Sequence, residues 1–242
     1  QDAEDIFPLL DAATLGAAFA NGAAHFSESP EAAIALMKRW LPPEEQQRAV
    51  RGSFESWLFS DAKGAEAWAA TVTDPAIKTA VWAAQFDWHT TWNPERALTM
   101  LNGQVRIPDE VSEATMQALW NWSSKRPAAA AGWASANMAL LSSEHIGTVA
   151  TYLVKADEAG AAAWVATLPE GMPRETGVRS VTANWVRAGD FDLANQMVGS
   201  LADERRRRVV IFDVYRGVRN GPNNLRATAD RWLESVGIDA ET

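Results

Sequence analysis

Helix starts recur along this chain at a nearly constant interval. Taking the first helical residue of each unit as an anchor, the anchors fall at Pro30, Ala62, Pro94, Pro127, Glu158, Phe191 and Pro222. Their spacings are 32, 32, 33, 31, 33 and 31 residues. The residues just before them are Ser29, Asp61, Asn93, Arg126, Asp157, Asp190 and Gly221. Five of these seven are preferred N-caps, whose side-chain oxygen can accept from the free N–H groups of a first helical turn. Four of the anchors are proline, whose fixed φ suits the first position of a helix. A period of this length is the mark of stacked helix pairs.

The positions that follow each anchor repeat as well. Three residues on stand Ala33, Ala65, Ala97, Ala130, Ala161, Ala194 and Leu225. Six residues on stand Leu36, Trp68, Met100, Trp133, Trp164, Met197 and Thr228. These two places lie on one face of a helix, so each first helix sets a small residue beside a large apolar one. The alanines mark places where another backbone comes close. A second aromatic series, Trp57, Trp88, Trp122, Tyr152, Trp185 and Tyr215, precedes each following anchor by five to seven residues. Phe26 fits the same place in a degenerate leading copy. One amphipathic hairpin cannot bury both aromatics, whereas neighbours in a stack can.

The stretch 157–190 shows a whole unit. Asp157 caps a helix carrying Ala161, Trp164 and Leu168, and Leu168-Pro169 stops it. Pro173-Arg174-Glu175 opens a second helix with Val178, Val181 and Trp185 on its apolar face, ended by Gly189-Asp190. The expectation is an all-α fold, a right-handed α-solenoid of about seven helix-turn-helix repeats of about 32 residues. Residues 1–28 read as N-terminal cap helices, 29–236 as the helical-repeat array, and 237–242 as a C-terminal tail.

Residues 157–190 resemble a bacterial helix-pair repeat reading roughly D-P-x-A-A-x-x-W-x-x-x-L-P-x-G-x-x-R-x-x-A. The likeness runs through Asp157, Ala161, Ala162, Trp164, Leu168, Pro169, Gly171, Arg174 and Trp185. The first copy shows it through Pro30, Ala32, Ala33, Trp40, Leu41, Pro42, Arg48, Ala49 and Trp57. The resemblance implies an α-solenoid of the tetratricopeptide kind and no activity. The tetratricopeptide consensus itself, with its Gly and Tyr positions, is not matched.

Composition narrows the function classes. Net charge is −9 and the isoelectric point near 4.9, against the basic footprint that a nucleic-acid binder needs. Residues 1–121 hold 17 acids and 8 bases, whereas 122–242 hold 14 of each. There is no cysteine, which excludes disulfides, thiolate metal sites and cysteine nucleophiles. No stretch approaches the ~20 apolar residues of a membrane span. A start at Gln1 is what removal of a signal peptide leaves, so an exported protein is expected as readily as a cytoplasmic one.

No phosphate-binding loop, nucleophile elbow or His-Glu-x-x-His helix is present. The histidines His25, His89 and His145 sit in separate copies, and no cofactor or metal is implied. The acidic pairs Glu44-Glu45, Asp109-Glu110 and Asp203-Glu204 suit glycosidase chemistry on paper. Each also opens a second helix, where the macrodipole favours negative charge. Arg205-Arg206-Arg207-Arg208 points around most of a helix circumference and cannot form one flat patch.

The densest aromatic run is Phe86-Asp87-Trp88-His89-Thr90-Thr91-Trp92-Asn93. Trp92 and Trp120 fall outside both repeating aromatic series. They suit a binding groove, since exposed tryptophan is a common hot spot, and they also suit packing at irregular turns. The partner-binding candidates are Trp88, His89, Trp92 and Trp120, with Arg205 and Arg208 for an acidic ligand. The expected role is a non-enzymatic scaffold binding a protein or peptide along its concave face. The alternatives are a carbohydrate-binding or carbohydrate-cleaving α-helical protein and a structural spacer or oligomerisation domain.

Overall fold

A computed structural model describes residues 7–21, 23–221 and 225–237. The anchor Pro222 and the polar tail from 238 onward lie outside the described residues. Those described fold as helices with no strand among them. The α-helices are α1 (Ala12–Asn21), α2 (Ala23–Glu28), α3 (Pro30–Trp40), α4 (Pro43–Ala69), α5 (Pro75–Trp92), α6 (Pro94–Thr99) and α7 (Ser112–Lys125). Then follow α8 (Pro127–Ala136), α9 (Ser143–Ala156), α10 (Glu158–Thr167), α11 (Met172–Ala188), α12 (Phe191–Gly199), α13 (Glu204–Arg219) and α14 (Arg226–Ser235).

Five anchors, Pro30, Pro94, Pro127, Glu158 and Phe191, are the first residues of α3, α6, α8, α10 and α12. Ala62 follows a bend in α4 at Asp61, whose φ of −151° and ψ of 80° are not helical. Ser29, Asp61, Asn93, Arg126 and Asp157 share one conformation, with φ between −154° and −142° and ψ between 65° and 97°. At each of these joints a single residue separates the end of one pair from the start of the next. Three of them cap through the side chain. Asp61 accepts from Gly64 N at 3.0 Å, Asn93 from Arg96 N at 3.2 Å, and Asp157 from Gly160 N at 2.8 Å. Ser29 and Asp190 make no such bond.

The last copy corrects the sequence alignment. Helix α14 begins at Arg226, so the +3 and +6 places pass from Leu225 and Thr228 to Ala229 and Trp232. Trp232 is 0% exposed, and Ala229 is buried beside it. Pro222 looks like a helix start, but the apolar stripe that must be covered is Ala229, Trp232 and Leu233, and burial of that stripe sets the register. Ala65, Ala97, Ala130, Ala161, Ala194 and Ala229 are all fully buried. Helix α11 opens one residue before Pro173, at Met172, behind Gly171 at a φ of 97°.

The chain divides into two compact units, one of residues 1–101 and 107–118, the other of residues 102–106 and 119–242. The division passes through the third copy and splits α7. In the first unit α1 and α2 pack on α4, and α4 packs on α5. Phe26, Phe54, Trp57 and Trp68 meet there with ring centroids 5.5–6.2 Å apart. In the second unit α9 packs on α11 and α11 on α13, while α8, α10, α12 and α14 each pack on a second helix. A Cβ on Gly177 would lie 2.8 Å from Leu168 Cδ1 and 3.0 Å from Val165 Cγ2. Helix α11 therefore crosses α10 at a point where only glycine fits without displacement.

Candidate binding groove between α10 and α12

The first helices of neighbouring copies are tied together by indole rings. Trp68 donates its Nε1–H to Glu31 Oε1 at 3.0 Å, and Trp133 to Asn102 Oδ1 at 3.1 Å. Trp164 donates to Ser135 Oγ at 2.9 Å, and Trp232 to Asn195 Oδ1 at 2.9 Å. All four tryptophans occupy the +6 place, and every acceptor is a polar side chain of the preceding copy. The bond to Trp68 also holds the Glu31 carboxyl below its usual range. A buried indole satisfies its one donor in this way and spans the distance to the next helix. In the second aromatic series, Trp122 and Trp185 have buried indole N–H groups with no partner among the described residues, whereas Tyr215 donates its hydroxyl to Asp230 Oδ1 at 2.9 Å.

Two copies have methionine at +6. Met100 belongs to the α6 copy, where Glu66 of α4 reaches Arg96 of α6 at 3.2 Å and His89 Nε2 at 3.3 Å. A charged cluster ties the helices there. Met197 belongs to the α12 copy. The residues corresponding to Glu66 and Arg96 are now Ala162 and Leu193, and among the described residues no hydrogen bond or ion pair joins α10 to α12. An open groove of about 620 Å³ remains. Val165 and Trp185 form its floor, Ala159, Ala162 and Ala166 one wall, and Leu193 and Met197 the other. Glu158, Arg174, Gln196 and Ser200 supply the polar groups at its rim. The volume and the mostly apolar lining match those of ordinary ligand pockets, ~300–1,000 Å³.

Arg174 is held in place by the end of α10. Its Nε donates to Leu168 O at 3.1 Å and its Nη2 to Ala166 O at 2.7 Å, carbonyls that the helix end leaves free. Arg174 and Ser200 also line a smaller polar pocket of about 280 Å³, with Glu170, Glu175 and Arg206. Arg206 bonds Glu175 Oε1 at 2.9 Å across α11 and α13.

The sequence-derived candidates fall in separate places. Trp88 is half-buried, with its ring edge-on to His89 at 4.9 Å. His89 is 2% exposed, and its Nδ1 has no partner among the described residues. Burial lowers its pKa, Arg96 adds to the effect and Glu66 opposes it. Trp92 is 64% exposed and Trp120 49% exposed. They belong to different units. Trp120 meets Tyr152 at 6.1 Å in an edge-on arrangement, and Lys155 lies over the Tyr152 ring. The arginine run disperses, as its helical position requires. Arg208 pairs with Glu204 at 2.8 Å, and Arg207 donates twice to Leu201 O, repeating the role of Arg174. Arg205 is exposed.

The acidic pairs stand at helix starts. Glu44 and Glu45 lie in the first turn of α4, and Asp203 caps α13 through Arg206 N at 3.1 Å. The side chain of His25 lies outside what the structure describes. His145 serves a helix cap: its Nδ1 accepts from Ser142 N at 3.1 Å, while Ser142 Oγ accepts from His145 N at 3.4 Å. Among the described residues no three histidines or carboxylates gather as a metal site, and no helix is long and apolar enough to cross a membrane.

The groove was not among the candidates, although its signal is present in the sequence. It consists of methionine in a tryptophan place, facing alanines at every position where other copies carry the acceptor. No family model matches the chain, and no curated protein or solved structure matches it either.

Proposed function

We propose that this protein is a non-enzymatic scaffold that binds a protein or peptide partner, and that the α10–α12 groove is the seat of binding. We further propose that its helix pairs form a right-handed solenoid of about seven copies. The observation that carries the binding reading is the groove itself. In the other intervals described, tryptophans or ion pairs tie the first helices to the preceding copy, whereas this one presents an apolar floor with polar groups at its edge. Preformed grooves of this kind lose little conformational entropy on binding. A partner chain laid in it continues naturally toward the polar pocket at Arg174, Glu175 and Arg206.

The test is selection of peptides from a displayed random library on the whole chain, with Ala162→Arg as the comparison. Arginine at this half-buried wall position fills the groove while keeping a good helix former. Peptides that enrich on the wild-type chain and are lost on Ala162→Arg, with an unchanged melting curve, support the proposal. No enrichment, or equal capture by both chains, overturns it.

A further inference from the structure

We infer that the α10–α12 groove takes a phenylalanine side chain of its peptide partner as the anchor. This rests on the scaffold reading above and makes it specific. The first argument is the internal template. In four other copies the +6 residue is a tryptophan whose ring bridges to the preceding copy. At Met197 that ring is missing, and the groove opens in the same interval. The space left by an absent flat ring is filled best by another flat ring.

The second argument concerns hydrogen bonding and separates phenyl from indole. The four resident indoles find acceptors at the +1, +4 or +8 positions of the preceding copy, namely Glu31, Asn195, Asn102 and Ser135. In α10 those positions are Ala159, Ala162 and Ala166, and all three line the groove. An entering indole would lose its water without regaining an acceptor at the places where this fold supplies one. A buried donor left unmatched is costly. A phenyl ring has no such donor.

The third argument separates phenyl from an aliphatic side chain. Trp185 forms part of the floor and Met197 part of the wall. Aromatic rings gain beyond area burial from edge-to-face contact with another ring, and thioether sulfur favours an aromatic edge. The groove supplies both partners. The flexible Met197 side chain can also adjust to the ring that enters.

The experiment uses the full chain labelled with ¹³C at the methionine methyls. The probes are N-acetyl-phenylalaninamide, N-acetyl-tryptophanamide and N-acetyl-leucinamide. The expected result is a saturable upfield displacement of the Met197 methyl by the phenylalanine amide, from the ring current, with Met37 and Met100 unmoved. The leucine and tryptophan amides should bind several-fold more weakly. Ala162→Arg should abolish the response at Met197. Met197→Trp, which supplies the missing ring from the chain itself, should abolish phenylalanine-amide binding as read from ¹⁵N-labelled indole resonances. If Met197→Trp does not fold, the Ala162→Arg arm still decides. Equal binding of the leucine or tryptophan amide overturns the phenylalanine anchor. So does an unmoved Met197 methyl, or a response that survives Ala162→Arg. Library peptides still blocked by Ala162→Arg would leave the scaffold reading standing after such a failure. Loss of both results removes the scaffold reading as well.

Discussion

The indole N–H of Trp164 donates to the hydroxyl oxygen of Ser135 at 2.9 Å, joining helices α10 and α8 of neighbouring copies. Both the ring and the bond belong to the interface between copies. Trp164→Ala should therefore cost about 3–5 kcal/mol through the cavity it leaves. Trp164→Phe keeps most of the ring and should lose only about 0.5–1.5 kcal/mol. Urea denaturation followed by circular dichroism separates the two. Equal midpoints for the phenylalanine and alanine variants would show that the ring adds nothing there.

The corrected register of α14 makes a sharp contrast between two neighbours. Trp232→Ala should destabilise by about 3–5 kcal/mol, as expected for a fully buried aromatic. Thr228→Ala should stay within about 0.5 kcal/mol of wild type. An anchor at Pro222 would put Thr228 in the core place, so the reverse order of effects in thermal melts would favour that register.

Arg174 closes the end of α10 by bonding two free carbonyls. Arg174→Met keeps the aliphatic stem and removes both bonds, and should cost about 1–2 kcal/mol. Hydrogen exchange should quicken at the end of α10 more than in α9. Uniform protection along α10 in the variant would contradict the capping role.

His145 accepts a backbone hydrogen bond on Nδ1, and burial lowers its pKa below the ordinary 6.5. The folded chain then binds fewer protons than the unfolded one. Stability should be level above pH 6.5 and should fall as pH drops below it, until the lowered folded value is passed. His89, lowered by burial, acts in the same direction. His145→Gln retains a cap-forming side chain without a titrating ring. It should reduce the pH dependence of the urea midpoint between pH 7.5 and 5.5, and His89 should keep it above zero. An unchanged slope would remove His145 from the account.

Trp92 stands mostly in solvent. Trp92→Ala should change stability by no more than about 0.5 kcal/mol. A loss of several kcal/mol in a thermal melt would mean that the ring supports packing.

Much of the helix plan was legible because each start is a local event. Asp61, Asn93 and Asp157 cap the turn that follows them, and Pro94 and Pro127 fix the φ of its first residue. The alanine places were legible for a similar reason, since one recurring residue type marks one recurring place, and Ala65, Ala97, Ala130, Ala161 and Ala194 are all buried. The last copy was not, because Pro222 offers a strong local signal while burial of Trp232 in α14 is decided by how that helix packs on α13 and α11. The candidate site was less legible still. Trp92 and Trp120 stand out because they break a pattern of residues present. The groove is defined by a residue missing from a pattern, Met197 where tryptophan recurs, and its depth depends on alanines of another helix.

The single-residue joints at Ser29, Asp61, Asn93, Arg126 and Asp157 have a consequence for how such a chain can change length. One residue corresponds to about 100° of rotation around an α-helix. An insertion or deletion at a joint would therefore turn the buried stripe of the next helix away from its neighbour. Length changes should be tolerated instead inside a pair, as at the exposed residues 103–105 between α6 and α7. Extra residues and new loops should be engineered there rather than at a joint.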